Sequence, residues 1–151
     1  MNTLERYGLR DKDTASLHPL LAVLGVRHVT HALDNAIAPH SMPFFQILYV
    51  DEGELDWWID GRFYHLSPGD LLLVKPYETQ NSLQGRIPIG RRYFMQINLY
   101  EQNENEGLSQ SERDQVNKLF TEFIPRVLHM GDDFSSPFQK ILEAHRKPDN
   151  F

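Results

Sequence analysis

His40-Ser41-Met42-Pro43-Phe44-Phe45-Gln46-Ile47-Leu48-Tyr49-Val50-Asp51-Glu52-Gly53, followed by Leu66-Ser67-Pro68-Gly69-Asp70-Leu71-Leu72-Leu73-Val74-Lys75-Pro76, decides the fold. Both stretches are β-rich runs of strand length bounded by Asp, Gly and Pro, the pattern of short strands joined by tight turns. Working outward, Asp60-Gly61 separates Trp57-Trp58-Ile59 from Phe63-Tyr64. That dipeptide marks a type I′ hairpin, because glycine accepts the positive φ the turn demands. Ser67-Pro68-Gly69-Asp70 is a second turn. The same texture predicts strands over Val26–Leu33, Phe44–Asp51, Gly53–Ile59, Arg62–Leu66, Leu71–Lys75, Asn81–Leu83 and Arg91–Tyr100.

Residues 1–25 are mixed and weakly periodic, and read as an N-terminal arm preceding a barrel over 26–100. Beyond the polar stretch 101–107, a helical segment over 108–147 is expected. Ser109 and Glu112 make a capping box, and Val116, Leu119, Phe120, Phe123 and Val127 recur as one apolar stripe, interrupted at Pro125. Ser135 or Ser136 caps a shorter helix through Phe138, Ile141 and Leu142. The chain stops abruptly at Phe151 and reads as a fragment of something longer.

The 151 residues carry 15 Lys+Arg against 21 Asp+Glu, a net charge of −6, and no cysteine. Disulfides and thiolate chemistry are thereby removed, and a cytoplasmic protein is expected. A negative chain without a basic cluster is a poor match for DNA phosphates. No apolar run is long enough to span a membrane as a helix.

The segments 40–53 and 66–76 resemble the cupin sensor domain of AraC-type transcription regulators. The order carries the likeness: His40 then Gln46, Gly53 closing the strand, a hairpin, Pro68-Gly69-Asp70 before an aliphatic strand, and Pro76 after it. The resemblance implies a mainly β fold, a double-stranded β-helix of cupin or jelly-roll type with C-terminal helices packed on it. It also implies an effector-sensing and dimerisation domain that binds a small organic molecule, a sugar among the candidates. DNA would be reached only through a C-terminal helix-turn-helix part that these residues lack.

Catalytic cupins hold a metal with two His and a carboxylate, plus a later His. Here Met42, Gln46 and Gln80 stand where those ligands would be, leaving His40 with neutral amides and a thioether, so neither metal nor other cofactor is expected. Strand parity puts His40, Met42, Phe44, Gln46, Leu48 and Val50 on one face, and Phe94, Gln96 and Asn98 together on the last strand. Either these amides and aromatics line a ligand pocket, or they sit on a solvated face. His28 and Thr30 with Gln46 form a further sugar-binding set, or His28 is an exposed strand residue. The full ligand-binding set is therefore His28, Thr30, His40, Phe44, Gln46, Gln80, Phe94, Gln96 and Asn98. Arg91-Arg92 could receive an anionic ligand, but a basic pair opening an edge strand is usually just solvated.

The rival from the enzyme class is a metal-free cupin isomerase or epimerase acting on a small carbohydrate, with His40 or His65 as general base. A stand-alone sugar-binding module is the third reading. For a regulator, a homodimer is expected, built on apolar area of Ile124, Leu128, Met130, Phe138, Ile141 and Leu142 left uncovered by the barrel.

Overall fold

A computed structural model describes residues 1–8, 18, 20–99 and 109–146. Among the described residues, nine strands and two α-helices run in the order β1 (Thr3–Gly8), β2 (Leu21–Val29), β3 (Phe45–Glu52), β4 (Leu55–Ile59), β5 (Arg62–Leu66), β6 (Asp70–Val74), β7 (Gln80–Ser82), β8 (Gly90–Ile97), α1 (Gln110–Lys118), β9 (Val127–His129) and α2 (Ser135–Arg146). One antiparallel sheet has the order β1-β2-β8-β3-β6-β9, the other β5-β4-β7.

The segment between β2 and β3 forms no full strand; it meets its neighbour through the bridges Leu33↔Ile87 and His40↔Gln80 and through the Ala36 and Ile37 N–H groups, which donate to the Gly85 carbonyl. Counted as a shortened strand beside β7, it completes eight strands in which the first, eighth, third and sixth share one sheet and the fifth, fourth, seventh and second share the other. That is the jelly-roll order, and the expected cupin-type barrel is the observed fold. The turns that enforce it carry the expected chemistry. Asp60 and Gly61 both have positive φ, at 45° and 90°, and Gly69 stands at 94° where Asp70 N–H donates to the Ser67 carbonyl at 3.0 Å.

Leu48, Val50, Leu55, Trp57, Ile59, Leu66, Leu72 and Val74 fill the space between the sheets. The outer face of the larger sheet is also covered. Leu24, Tyr49, Leu71 and Tyr93 meet Phe138 and Leu142 of α2, while Phe45, Leu73 and Leu99 meet Val116 and Phe120. β6 is therefore buried on both faces, which is why its sequence is apolar throughout rather than alternating.

Several expectations are corrected. The arm over 1–25 contains β1, which pairs with β2 from Thr3↔His28 to Gly8↔Val23, and β2 begins at Leu21 rather than Val26. Glu5 accepts from the Arg146 guanidinium at 2.6 and 2.8 Å, so β1 is tied to the end of α2. The expected helix through Val127 ends early. Ser109 Oγ does accept from Glu112 N–H, but a π-turn follows over Leu119–Phe123, and Pro125, lacking an N–H, precedes β9, which lies along β6. Leu119 is exposed, and the side chain of Phe123 falls outside the described residues. The apolar surface expected to support two-fold association is mostly inside the molecule: Phe138 and Leu142 are buried, and Leu128, Ile141 and Ile124 pack on the two outer clusters. Met130 alone of that group is exposed.

The return from the helical segment is held by an ion pair. Arg126 donates to both Glu78 carboxylate oxygens, at 2.6 and 2.5 Å, and to the Leu73 carbonyl, while Lys75 N–H donates to Glu78. Burial alone would raise the Glu78 pKa, but the Arg126 bonds and the Lys75 N–H outweigh it and hold the carboxyl below its ordinary range. A depressed carboxyl stabilises the fold above its unfolded value of about 4.3, and that contribution is lost as pH falls through the lower folded value. Glu78→Gln is accordingly expected to cost about 1.5–3 kcal/mol at pH 7 and to flatten the loss of stability below about pH 5. Urea titrations of both proteins between pH 3 and 7 check this, and parallel pH profiles would refute it.

Candidate functional site

The cavity lies inside the barrel, and strand register builds it in layers. Across β2, β8 and β3 the inward residues are Val23, Gln96 and Gln46 in one layer, then Gly25, Phe94 and Leu48, then Arg27, Arg92 and Val50. Successive layers are two residues apart, or roughly 7 Å along a strand. Leu55 and Trp57 of β4 supply the facing wall, and Ile37, His40 and Ile87 close the side where the sheet is reduced to bridges. The cavity is partly open to solvent, with a volume of about 190 Å³.

At one end the amides form a chain. Trp57 Nε1–H can only donate, and it donates to Gln80 Oε1 at 3.0 Å, which fixes that amide's orientation. Gln46 then presents its NH₂ to the same oxygen at 3.0 Å, and Gln96 presents its own to Gln46 Oε1 at 3.2 Å. Gln80 is fully buried and its Nε2 has no partner. The chain of bonds meets part of the amides' hydrogen-bonding capacity and leaves the Gln80 Nε2 donors over.

The middle layer is apolar. A Cβ on Gly25 would come within 2.3 Å of Phe94 Cζ, so glycine at this position makes the room in which the Phe94 ring lies. The other end is cationic. Arg92 is 3% exposed, and its guanidinium donates to the carbonyls of Pro88, Glu54 and Ile89 at 2.5, 3.0 and 3.0 Å. Burial and the neighbouring Arg27 charge bring its pKa down to about 10. Arg27 is half-buried beside it, and desolvation lowers its pKa too.

Of the expected set, His40, Gln46, Phe94 and Gln96 line the cavity, and Gln80 joins it through Gln46. The others are placed elsewhere. His28 faces outward, one residue out of phase with Arg27, and Thr30 is engaged with Asn2 at the end of β1. Phe44 precedes β3, where the chain bends after Pro43, so the alternation expected from His40 onward begins only at Phe45 and leaves Met42 and Phe44 outside the lining. Asn98 lies past the end of β8, its N–H donating to the Leu20 carbonyl, and is buried away from the cavity. Arg92 is corrected from solvated to interior. Parity with Phe94 and Gln96 was the signal that marked it, and parity with Gly25 marks Arg27.

The donors do not suit a metal ion. His40 brings one imidazole, whose Nδ1 donates to the Ala38 carbonyl at 2.9 Å; the other polar groups are amides bonded to one another and to Trp57, and two guanidinium cations that repel a metal ion. Among the described residues no group of three His, Cys, Asp or Glu could hold a metal. His65 stands outside the barrel, exposed, with Asp56 at 2.7 Å and Glu54 at 3.6 Å; the Asp56 hydrogen bond raises its pKa.

Residues 24–81 match the family profile of the AraC-like ligand binding domain. None of the curated proteins matches the chain. Similar solved structures include a predicted oxalate decarboxylase from Thermotoga maritima, at 16% identity and TM-score 0.45, covering 62% of this chain and 79% of that one. The EutQ protein of Clostridium difficile follows at 22% identity and TM-score 0.41, covering 64% and 68%. An RmlC-like cupin from Shewanella frigidimarina has 19% identity and TM-score 0.37, covering 51% and 71%. No helix among the described residues is long and apolar enough to cross a membrane.

Proposed function

We propose that the chain is the effector-sensing domain of an AraC-type transcription regulator, taking a small organic molecule into the metal-free barrel. The observation that carries this reading is the cavity itself: apolar walls from Leu48, Leu55, Trp57 and Phe94, with polar groups gathered at its two ends. Apolar surface supplies burial and a few polar groups set orientation, the usual division in a small-molecule site. The match of residues 24–81 to an AraC-like ligand binding domain supports the same reading. DNA contact would belong to helix-turn-helix units outside this chain, in a cytoplasmic, two-fold assembly whose geometry the ligand biases by binding one state more tightly.

The isomerase or epimerase reading is weaker on the same geometry. Of its two proposed bases His65 is outside the barrel, and His40 meets no second acid or base in the lining. The test is a thermal-shift screen of sugars, small acids and small aromatic compounds. A compound present at about 100 times its Kd stabilises by about 2.7 kcal/mol, or about 5–10 °C for a domain of this size. Ile37→Trp, which places an indole at the loop side of the cavity, is expected to fold and to abolish the shift. A screen in which nothing shifts the wild type, or a shift that survives in Ile37→Trp, would refute the proposal.

A further inference from the structure

Among the described residues, four arginines outside the barrel interior have acidic partners: Arg86 with Asp34, Arg91 with Asp51 and Glu52, Arg126 with Glu78, and Arg146 with Glu5. The two inside it do not. Arg27 and Arg92 are register partners on adjacent strands, a placement in which like charges repel. Among the described residues, no carboxylate lines the cavity. Carbonyl oxygens take up the terminal nitrogens of Arg92, but its buried Nε has no partner, and Arg27 has no ion pair or hydrogen bond among the described residues. Two desolvated cations facing one cavity without an anion are a costly arrangement that an anionic ligand would relieve.

We propose that the effector is a small organic monocarboxylate, its carboxylate seated at Arg27 and Arg92 and its hydrocarbon part lying along Phe94 and Leu48 toward Gln96. The size and the layering select this class. A cavity of roughly 150 Å³ admits benzene, so the 190 Å³ here holds a ring or short chain with one carboxylate. The Arg92 terminal nitrogens are taken by carbonyls and its Nε is buried, so the donors open to a ligand are those of the Arg27 guanidinium, with Arg92 adding charge; a phosphate dianion would call for more. The inference rests on the effector reading above and narrows it.

Benzoate, 4-hydroxybenzoate, benzamide, phenyl phosphate and arabinose are the probes, followed by Trp fluorescence and thermal shift. Benzoate and 4-hydroxybenzoate are expected to bind at least about tenfold more tightly than benzamide, the effect of charge-assisted hydrogen bonds. Arg27→Gln should bring the benzoate and benzamide affinities to within about twofold of one another, and Arg27→Lys should retain most of the preference. Equal affinity for benzoate and benzamide, or tighter binding of arabinose or phenyl phosphate, overturns the carboxylate assignment but leaves the effector reading standing. Failure of every probe and of the wider screen overturns both. The benzoate-to-benzamide ratio is measured on the wild type, so the assignment remains falsifiable if a variant fails to fold.

Discussion

Phe138→Ala is expected to lower the unfolding free energy by about 3–5 kcal/mol, the range for emptying a buried aromatic site. Phe138 is 4% exposed, stacked at 5.5 Å on Tyr93 and at 6.0 Å on Tyr49, with Phe134 edge-on at 6.1 Å. The two tyrosines are themselves anchored. Tyr49 donates to the Gly131 carbonyl at 2.7 Å, and Tyr93 accepts from Gln139 at 3.3 Å, so neither ring is free to collapse into the space left behind. Against a typical total of about 5–15 kcal/mol the loss is large, and urea unfolding followed by circular dichroism reads it directly. The outcome that would overturn this account is a fall of less than about 1 kcal/mol together with a halved mass in sedimentation, which would place α2 in a contact between two copies.

Gly90→Ala is the second large effect, expected at about 2–6 kcal/mol from backbone strain and overpacking together. Gly90 has φ 148°, and a Cβ there would lie 2.2 Å from the Glu52 carbonyl oxygen and 2.7 Å from an Arg92 guanidinium nitrogen. The carbonyl cannot yield easily. Pairing of β3 with β8 shifts between Val50 and Glu52, leaving Asp51 as the extra residue of a bulge whose next residue faces Arg91. The added methyl would push Arg92 from its carbonyl partners at the cationic end of the cavity, so ligand affinity should fall along with stability. Gly61→Ala is the control. Its φ is 90° but nothing lies within 4 Å of the added Cβ, so only the strain term of about 1–3 kcal/mol is expected there. Equal losses from the two substitutions would show that the Glu52 and Arg92 contacts do not matter.

How much of this was legible beforehand follows from the range over which each signal acts. Turns are local. Asp60-Gly61 and Ser67-Pro68-Gly69-Asp70 announce their backbone conformation from residue type alone, and with β-rich runs between them the barrel strands could be placed. Parity along a strand is equally local, which is why Gln46, Phe94 and Gln96 were assigned to one face. Asn2 and Glu5, by contrast, give no sign of pairing with Thr30 and Arg146, residues far away in the chain. From sequence alone, β1 therefore reads as an arm. The stripe from Val116 to Val127 has helical spacing, but the edge of β6 offers unpaired backbone groups to Val127–His129, and that tertiary demand outweighs the spacing once Pro125 has ended the helical segment.

The sequence by itself determined the strand-and-turn class and the parity that puts Gln46 with Leu48, and Phe94 with Gln96, on one face of each strand, because each depends on residue type and spacing of a few positions. Only the tertiary structure decided that α2 covers the chain's own outer sheet, that His28 and Thr30 lie outside the cavity, and that Arg27 and Arg92 confront one another inside it. The physical reason is that these depend on which strands become neighbours and in what register. A shift of one residue would turn every side chain of a strand to the opposite face.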